Sequence, residues 1–69
     1  MKVLYVYECG PRYVLLRGPA LLSWLNDHEI PAVRSNPQRG WKCRRDRLPD
    51  VLAMAREDAV KVHMKGEPK

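Results

Sequence analysis

Two short apolar runs open the chain, residues 3–7 and 13–16, both rich in β-branched and aromatic side chains and separated by Cys9-Gly10-Pro11-Arg12. Runs of this kind around a Gly-Pro turn predict a β-hairpin. After Gly18-Pro19 the spacing changes. Leu21, Leu25 and His28 fall three and four apart, with Leu22 and Trp24 beside them, so residues 19–28 are expected to form a helix with one broad apolar face. Pro19 suits a first helical position, where a missing N–H has no partner to lose. Asp27 and Glu29 oppose the negative end of the helix dipole, and Pro31 disfavours helical geometry at Ile30, so the helix should stop early.

Residues 32–35 and 41–45 flank Asn36-Pro37-Gln38-Arg39-Gly40, which has the turn chemistry of a second hairpin with a longer loop. Strand alternation then places Val33, Trp41 and Cys43 inward, Arg34, Lys42 and Arg44 on the opposite face and Arg39 at the tip. Leu48, Val51, Leu52 and Ala55 give the stripe of a second helix over residues 47–58, with Pro49 and Asp50 in its first turn. Val60, Val62 and Met64 alternate with Lys61, His63 and Lys65 in a half-buried closing strand. The expected architecture is α+β: hairpin, helix, basic hairpin, helix and closing strand, with both helices covering one face of a small, mostly antiparallel sheet. Residues 1–65 read as a single compact domain, and residues 66–69 as a frayed tail.

Charge changes this picture from fold to function. Of thirteen basic residues in the 69-residue chain, six lie between positions 34 and 47: Arg34, Arg39, Lys42, Arg44, Arg45 and Arg47, with only Asp46 against them. That stretch holds the whole net charge of +5, because the other seven basic and seven acidic residues cancel. Clustered Arg and Lys attract a polyanion and release its condensed counterions. These six are therefore the candidate nucleic-acid-binding residues, acting on phosphates, with double-stranded DNA as the expected partner. The competing expectation is a protein-interaction module in which the same hairpin docks on an acidic partner protein. A homodimer is left open, since a domain this small buries only about 60% of its unfolded surface and gains by pairing.

The middle of the chain also resembles the small excisionases and their MerR-like winged-helix relatives. The residues concerned are Trp24-Leu25, Ile30-Pro31-Ala32-Val33-Arg34, Trp41-Lys42 and Arg44-Arg45-Asp46-Arg47-Leu48, within residues 23–52. The resemblance implies an alternative architecture, a winged helix-turn-helix, in which residues 20–26 form or abut a recognition helix and residues 32–45 form the wing. Arg34, Arg39, Lys42 and Arg44 would then meet phosphates or the minor groove. It also implies a non-enzymatic accessory role in transcription or in site-specific recombination on mobile elements.

Other chemistry finds less support in the sequence. Cys9, Cys43, His28 and His63 lack the short chelating spacing of structural zinc sites, so no metal and no cofactor are expected. Ser23 has no His or Lys at a local spacing that would activate it, Asp46 and Asp50 read as a dipole partner and a cap at a helix start, and neither carboxylates paired at a useful spacing nor a Gly-rich phosphate loop is found, so no catalytic residues are assigned. Cys43 reads as a small buried hydrophobe, His28 as a helix-end residue, and Trp24, Trp41, Tyr5, Tyr7 and Tyr13 as core. The first apolar run is too short for a signal peptide and no run reaches a membrane span, so a cytoplasmic protein that does not engage membranes is expected.

Overall fold

The computed structural model describes residues 2–35 and 39–66. Its elements are β1 (Val3–Cys9), β2 (Tyr13–Arg17), α1 (Leu21–Asp27), β3 (Val33–Ser35), β4 (Gly40–Arg44), a 3-10 turn (Arg45–Arg47), α2 (Leu48–Glu57) and β5 (Lys61–Gly66). The strands form one sheet in the order β3-β4-β2-β1-β5. Among the described residues, only the β1–β5 pairing is parallel. The chain is thus a small α+β domain of the expected layout. The winged helix-turn-helix alternative is not adopted: residues that would precede a recognition helix form β1 and β2, two of the three interior strands. The tip of the second hairpin, at positions 36–38, and the tail beyond position 66 lie outside the described residues.

Period-two alternation decides which side of β1 and β2 meets the helices. Leu4, Val6, Val14 and Leu16 project to one side and are essentially solvent-free. There they join Leu21, Trp24 and Leu25 of α1, Val51 and Ala55 of α2, and Cys43 of β4 in the core. Trp41 and Leu48 pack against this cluster from its edge. Where β4 begins alongside β2, residue 40 must be glycine. A Cβ there would lie 2.9 Å from the Leu16 carbonyl oxygen and 3.0 Å from the Leu15 side chain.

Several boundaries and facings differ from the sequence reading. The first helix begins at Leu21 rather than Pro19, because Ala20 takes a left-handed conformation (φ 55°) and acts as the N-cap. Val33 is not inward. The β3–β4 register pairs Val33 with Lys42 and Arg34 with Trp41, so Val33 is 68% exposed while Arg34 turns to the helix side, its guanidinium 5.6 Å from the Trp41 ring centroid. A one-residue difference in register exchanges the two faces of a strand, and the loop sets the register. Tyr5, Tyr7 and Tyr13 are not core residues either, since they occupy the face of the sheet away from both helices.

Both helices end in the same way. After α1, Glu29 (φ 57°) sends its N–H to Asn26 O at 3.1 Å, and Ile30 N donates to Leu25 O at 2.9 Å. After α2, Ala59 (φ 56°) donates to Arg56 O at 3.3 Å, and Val60 N to Ala55 O at 2.8 Å. These paired bonds close a Schellman motif, and buried Ile30 and Val60 seal each one with an apolar contact. A left-handed conformation costs an L-residue about 1–2 kcal/mol that glycine avoids, offset in part by glycine's greater freedom when unfolded. Ala59→Gly is therefore expected to raise the unfolding free energy by about 0.5–1 kcal/mol in a urea titration. A variant no more stable than the parent would contradict this account of the α2 terminus.

Candidate functional site

The six candidate cations do not form one surface. Arg45 is a structural staple: its guanidinium hydrogen-bonds both oxygens of Glu8, donates to Gly10 O at 2.9 Å and Pro11 O at 3.2 Å, and its backbone N–H meets Arg12 O at 2.8 Å. It fastens the end of β4 to the β1–β2 turn. Hydrogen bonding from Arg45 in return holds the Glu8 carboxyl below its ordinary value. Arg34 lies on the helix side, over Trp41. Arg39 sits in the β3–β4 turn with φ 52°, and its carbonyl oxygen accepts a 3.1 Å bond from Arg17 Nε.

Lys42, Arg44 and Arg47 do come together. They border an open groove of about 690 Å³ at one end of the sheet, whose apolar wall includes Tyr13, Ile30 and Val33. Arg44 Nε is 3.5 Å from Asp46 Oδ1. Arg47 Nε is shielded from solvent and 3.4 Å from Asp50 Oδ2, an ion pair without hydrogen-bond geometry.

A larger feature, missed in the sequence reading, is the sheet face opposite the helices. Strand register places Val3, Tyr5 and Tyr7 of β1, Tyr13, Leu15 and Arg17 of β2, Lys42 and Arg44 of β4, and Lys61 and His63 of β5 on this side. An irregularity in the β1–β5 ladder pairs Tyr7 with Gly66 instead of Lys65. Such a bulge re-aims a side chain, and Lys65 Nζ accordingly sits 5.9 Å from the Tyr5 ring centroid. Among the described residues, this face carries the cations Arg17, Lys42, Arg44, Lys61 and Lys65 and no Asp or Glu at a strand position. Glu8, the one acid within a described strand, points to the other side, where it binds Arg45.

Each tyrosine of this face meets a cation. Arg17 lies 4.7 Å from the Tyr7 centroid and Lys42 5.1 Å from that of Tyr13. His63 stacks on Tyr5 with centroids 5.2 Å apart and planes inclined by 19°. Leu15, wholly buried, lies between Tyr7 and Lys42 in register. Long amphipathic neighbours shield such a residue with their stems. The alternation of residues 3–17 contained the signal for this face. Only the helix packing reveals that it is the tyrosine side, not the Leu–Val side, that is left open.

The remaining chemistry candidates have structural roles. Trp24 Nε1 donates to Asp58 Oδ2 at 2.7 Å, and His28 Nε2 approaches the same oxygen at 2.9 Å, tying α1 to the end of α2. Burial raises the Cys43 thiol above its ordinary value, which keeps it protonated and unreactive. Among the described residues, no three His, Cys, Asp or Glu side chains gather as a metal site, and no helix is long and apolar enough to cross a membrane. The chain matches no protein-family model, no curated protein and no solved structure.

The Asp58 bridge makes stability sensitive to acid. The Trp24 hydrogen bond first, and the His28 one second, hold the Asp58 carboxyl below its ordinary 3.8. A carboxyl depressed on folding stabilises the protein fully above its unfolded pKa, and that contribution is lost as pH falls through the folded value. The unfolding free energy, followed by urea titration from pH 7 down to pH 2, should therefore drop below about pH 4. Asp58→Asn, which can still accept from Trp24, should flatten that fall. An acid limb identical in the variant would exclude Asp58 as its source.

Proposed function

We propose that this chain is a small, non-enzymatic DNA-binding protein that takes the phosphate backbone on the cationic face of its sheet and on the adjoining groove. The observation that carries this reading is charge segregation: five cations and His63 share one sheet face, with no carboxylate at its described strand positions. Like charges gathered on one open face repel one another, and an arriving polyanion relieves that repulsion while releasing its own counterions. The interface differs from the basic hairpin alone. Lys42 and Arg44 remain in it, Arg47 borders it, and Arg17, Lys61 and Lys65 join it. Arg45 is withdrawn as a staple and Arg34 faces the other side. The accessory role in transcription or recombination that the resemblance over residues 23–52 implies is kept within this proposal, without the winged-helix geometry, which the fold does not adopt.

Fluorescence anisotropy of labelled DNA against salt tests the reading. Affinity should fall steeply with salt, and Lys42→Ala with Arg44→Ala should reduce the slope of log K against log salt by about 1.5–2, while Arg34→Ala leaves it nearly unchanged. Absence of binding to any DNA at low salt would overturn the proposal. Displacement of DNA by polyglutamate, charge for charge, would instead favour docking on an acidic protein.

A further inference from the structure

The cationic face carries three aromatic rings whose spacing is informative about the form of nucleic acid. Tyr5 and Tyr7 are two residues apart on β1, a separation of about 6.8 Å for strand geometry. Tyr7 pairs with Leu15, so Tyr13 is its diagonal neighbour on β2, about 7–8 Å away. Tyr5, Tyr7 and Tyr13 therefore make a bent row with steps of roughly 7 Å, about twice the 3.4 Å rise between bases in a duplex strand. Tyr13 at the end of the row is 41% exposed and borders the groove that holds Arg44. A duplex hides the faces of its bases within the stack. Only an unpaired strand can spread consecutive bases onto separate rings.

From this row we infer that the sheet face is a binding platform for single-stranded DNA, an inference that rests on the nucleic-acid reading above and narrows it. Bases stack on Tyr7 and Tyr13, and on Tyr5 where His63 yields its place. Lys42 and Lys65, now resting over Tyr13 and Tyr5, move to the phosphates between them, and Arg17 leaves the Tyr7 ring at the cost of its bond to Arg39 O. Charge complementarity favours this occupant over an uncharged or cationic one, since Lys61 and Arg44, the latter beside Asp46 of the turn that follows, add to a face whose described strand positions hold no acid. Among the described residues, no Asn, Gln, Asp or Glu occupies a strand position there. Recognition accordingly proceeds by stacking and charge with little reading of base edges, and among the described residues no amide or carboxylate stands at a strand position of this face to accept from a ribose 2′-hydroxyl.

The test compares a labelled oligothymidylate of about ten nucleotides with its duplex and with the matching oligouridylate, by anisotropy at fixed low salt. The expected result is tighter binding of the single strand than of the duplex and no preference for RNA. Tyr7→Leu and Tyr13→Leu, which keep apolar bulk but lose the π-face, should each weaken single-strand binding about 5- to 100-fold and leave duplex affinity within about twofold. Tyr13→Phe, which keeps the ring, should bind like the parent, and a circular dichroism spectrum confirms that each variant is folded. Equal affinity for both forms with neutral Leu variants would overturn the platform while leaving DNA binding intact. An RNA preference of tenfold or more would overturn the DNA assignment. Absence of binding to all three probes would overturn the nucleic-acid reading itself.

Discussion

The constraint on which this structure depends is that both helices pack on the same side of one sheet. Each strand has two faces and alternates between them, so burying Leu4, Val6, Val14 and Leu16 against α1 and α2 obliges Tyr5, Tyr7, Tyr13 and Arg17 to face the other way. Among the described residues, no further element covers that second face. The sheet is therefore finished on one side by a core and on the other by tyrosines and cations. Arg45 and Asp58 serve this arrangement from its margins, the first by locking β4 to the β1–β2 turn, the second by joining the two helices.

Much of the layout was legible from the residues alone, for identifiable reasons. Hairpins with Gly and Pro turns, the Leu48, Val51, Ala55 stripe and the helix-stopping neighbourhood of Pro31 are local signals, and each matched an element. Facing in β3 was not legible, because the identity of its partner residues depends on a loop whose length does not state a register, and Val33 looked like a core residue while Arg34 did not. The tyrosines misled for a different reason. An aromatic residue in a strand reads as core unless the positions of the helices are known, and which of two apolar faces is covered is a tertiary decision. For the candidate site, the excess of positive charge was visible, but its division was not: Glu8 lies 37 residues from Arg45 in sequence, and nothing local announces their union.

The cation–aromatic pairs on the open face bear on its energetics. At exposed sites such a pair is worth about 0.5–1 kcal/mol, whereas a base stacked on an aromatic ring is worth about 1–3 kcal/mol. Exchanging the first for the second, with the cation then free to meet a phosphate, is favourable on both counts. In the absence of a ligand the same pairs keep exposed rings from offering a bare apolar patch, the usual hazard of an uncovered sheet.

The central claim, that the functional surface is the tyrosine side of the sheet, is tested most directly by the aromatic proton NMR spectrum during a titration with a single-stranded oligonucleotide. The account predicts that ring signals of Tyr5, Tyr7 and Tyr13 shift progressively, while the indole signals of Trp24, a core residue bonded to Asp58, and of Trp41, on the helix side, stay in place. Shifts confined to Trp41 and residues of α1, with the three tyrosines unmoved, would contradict it and return the binding surface to the helix side.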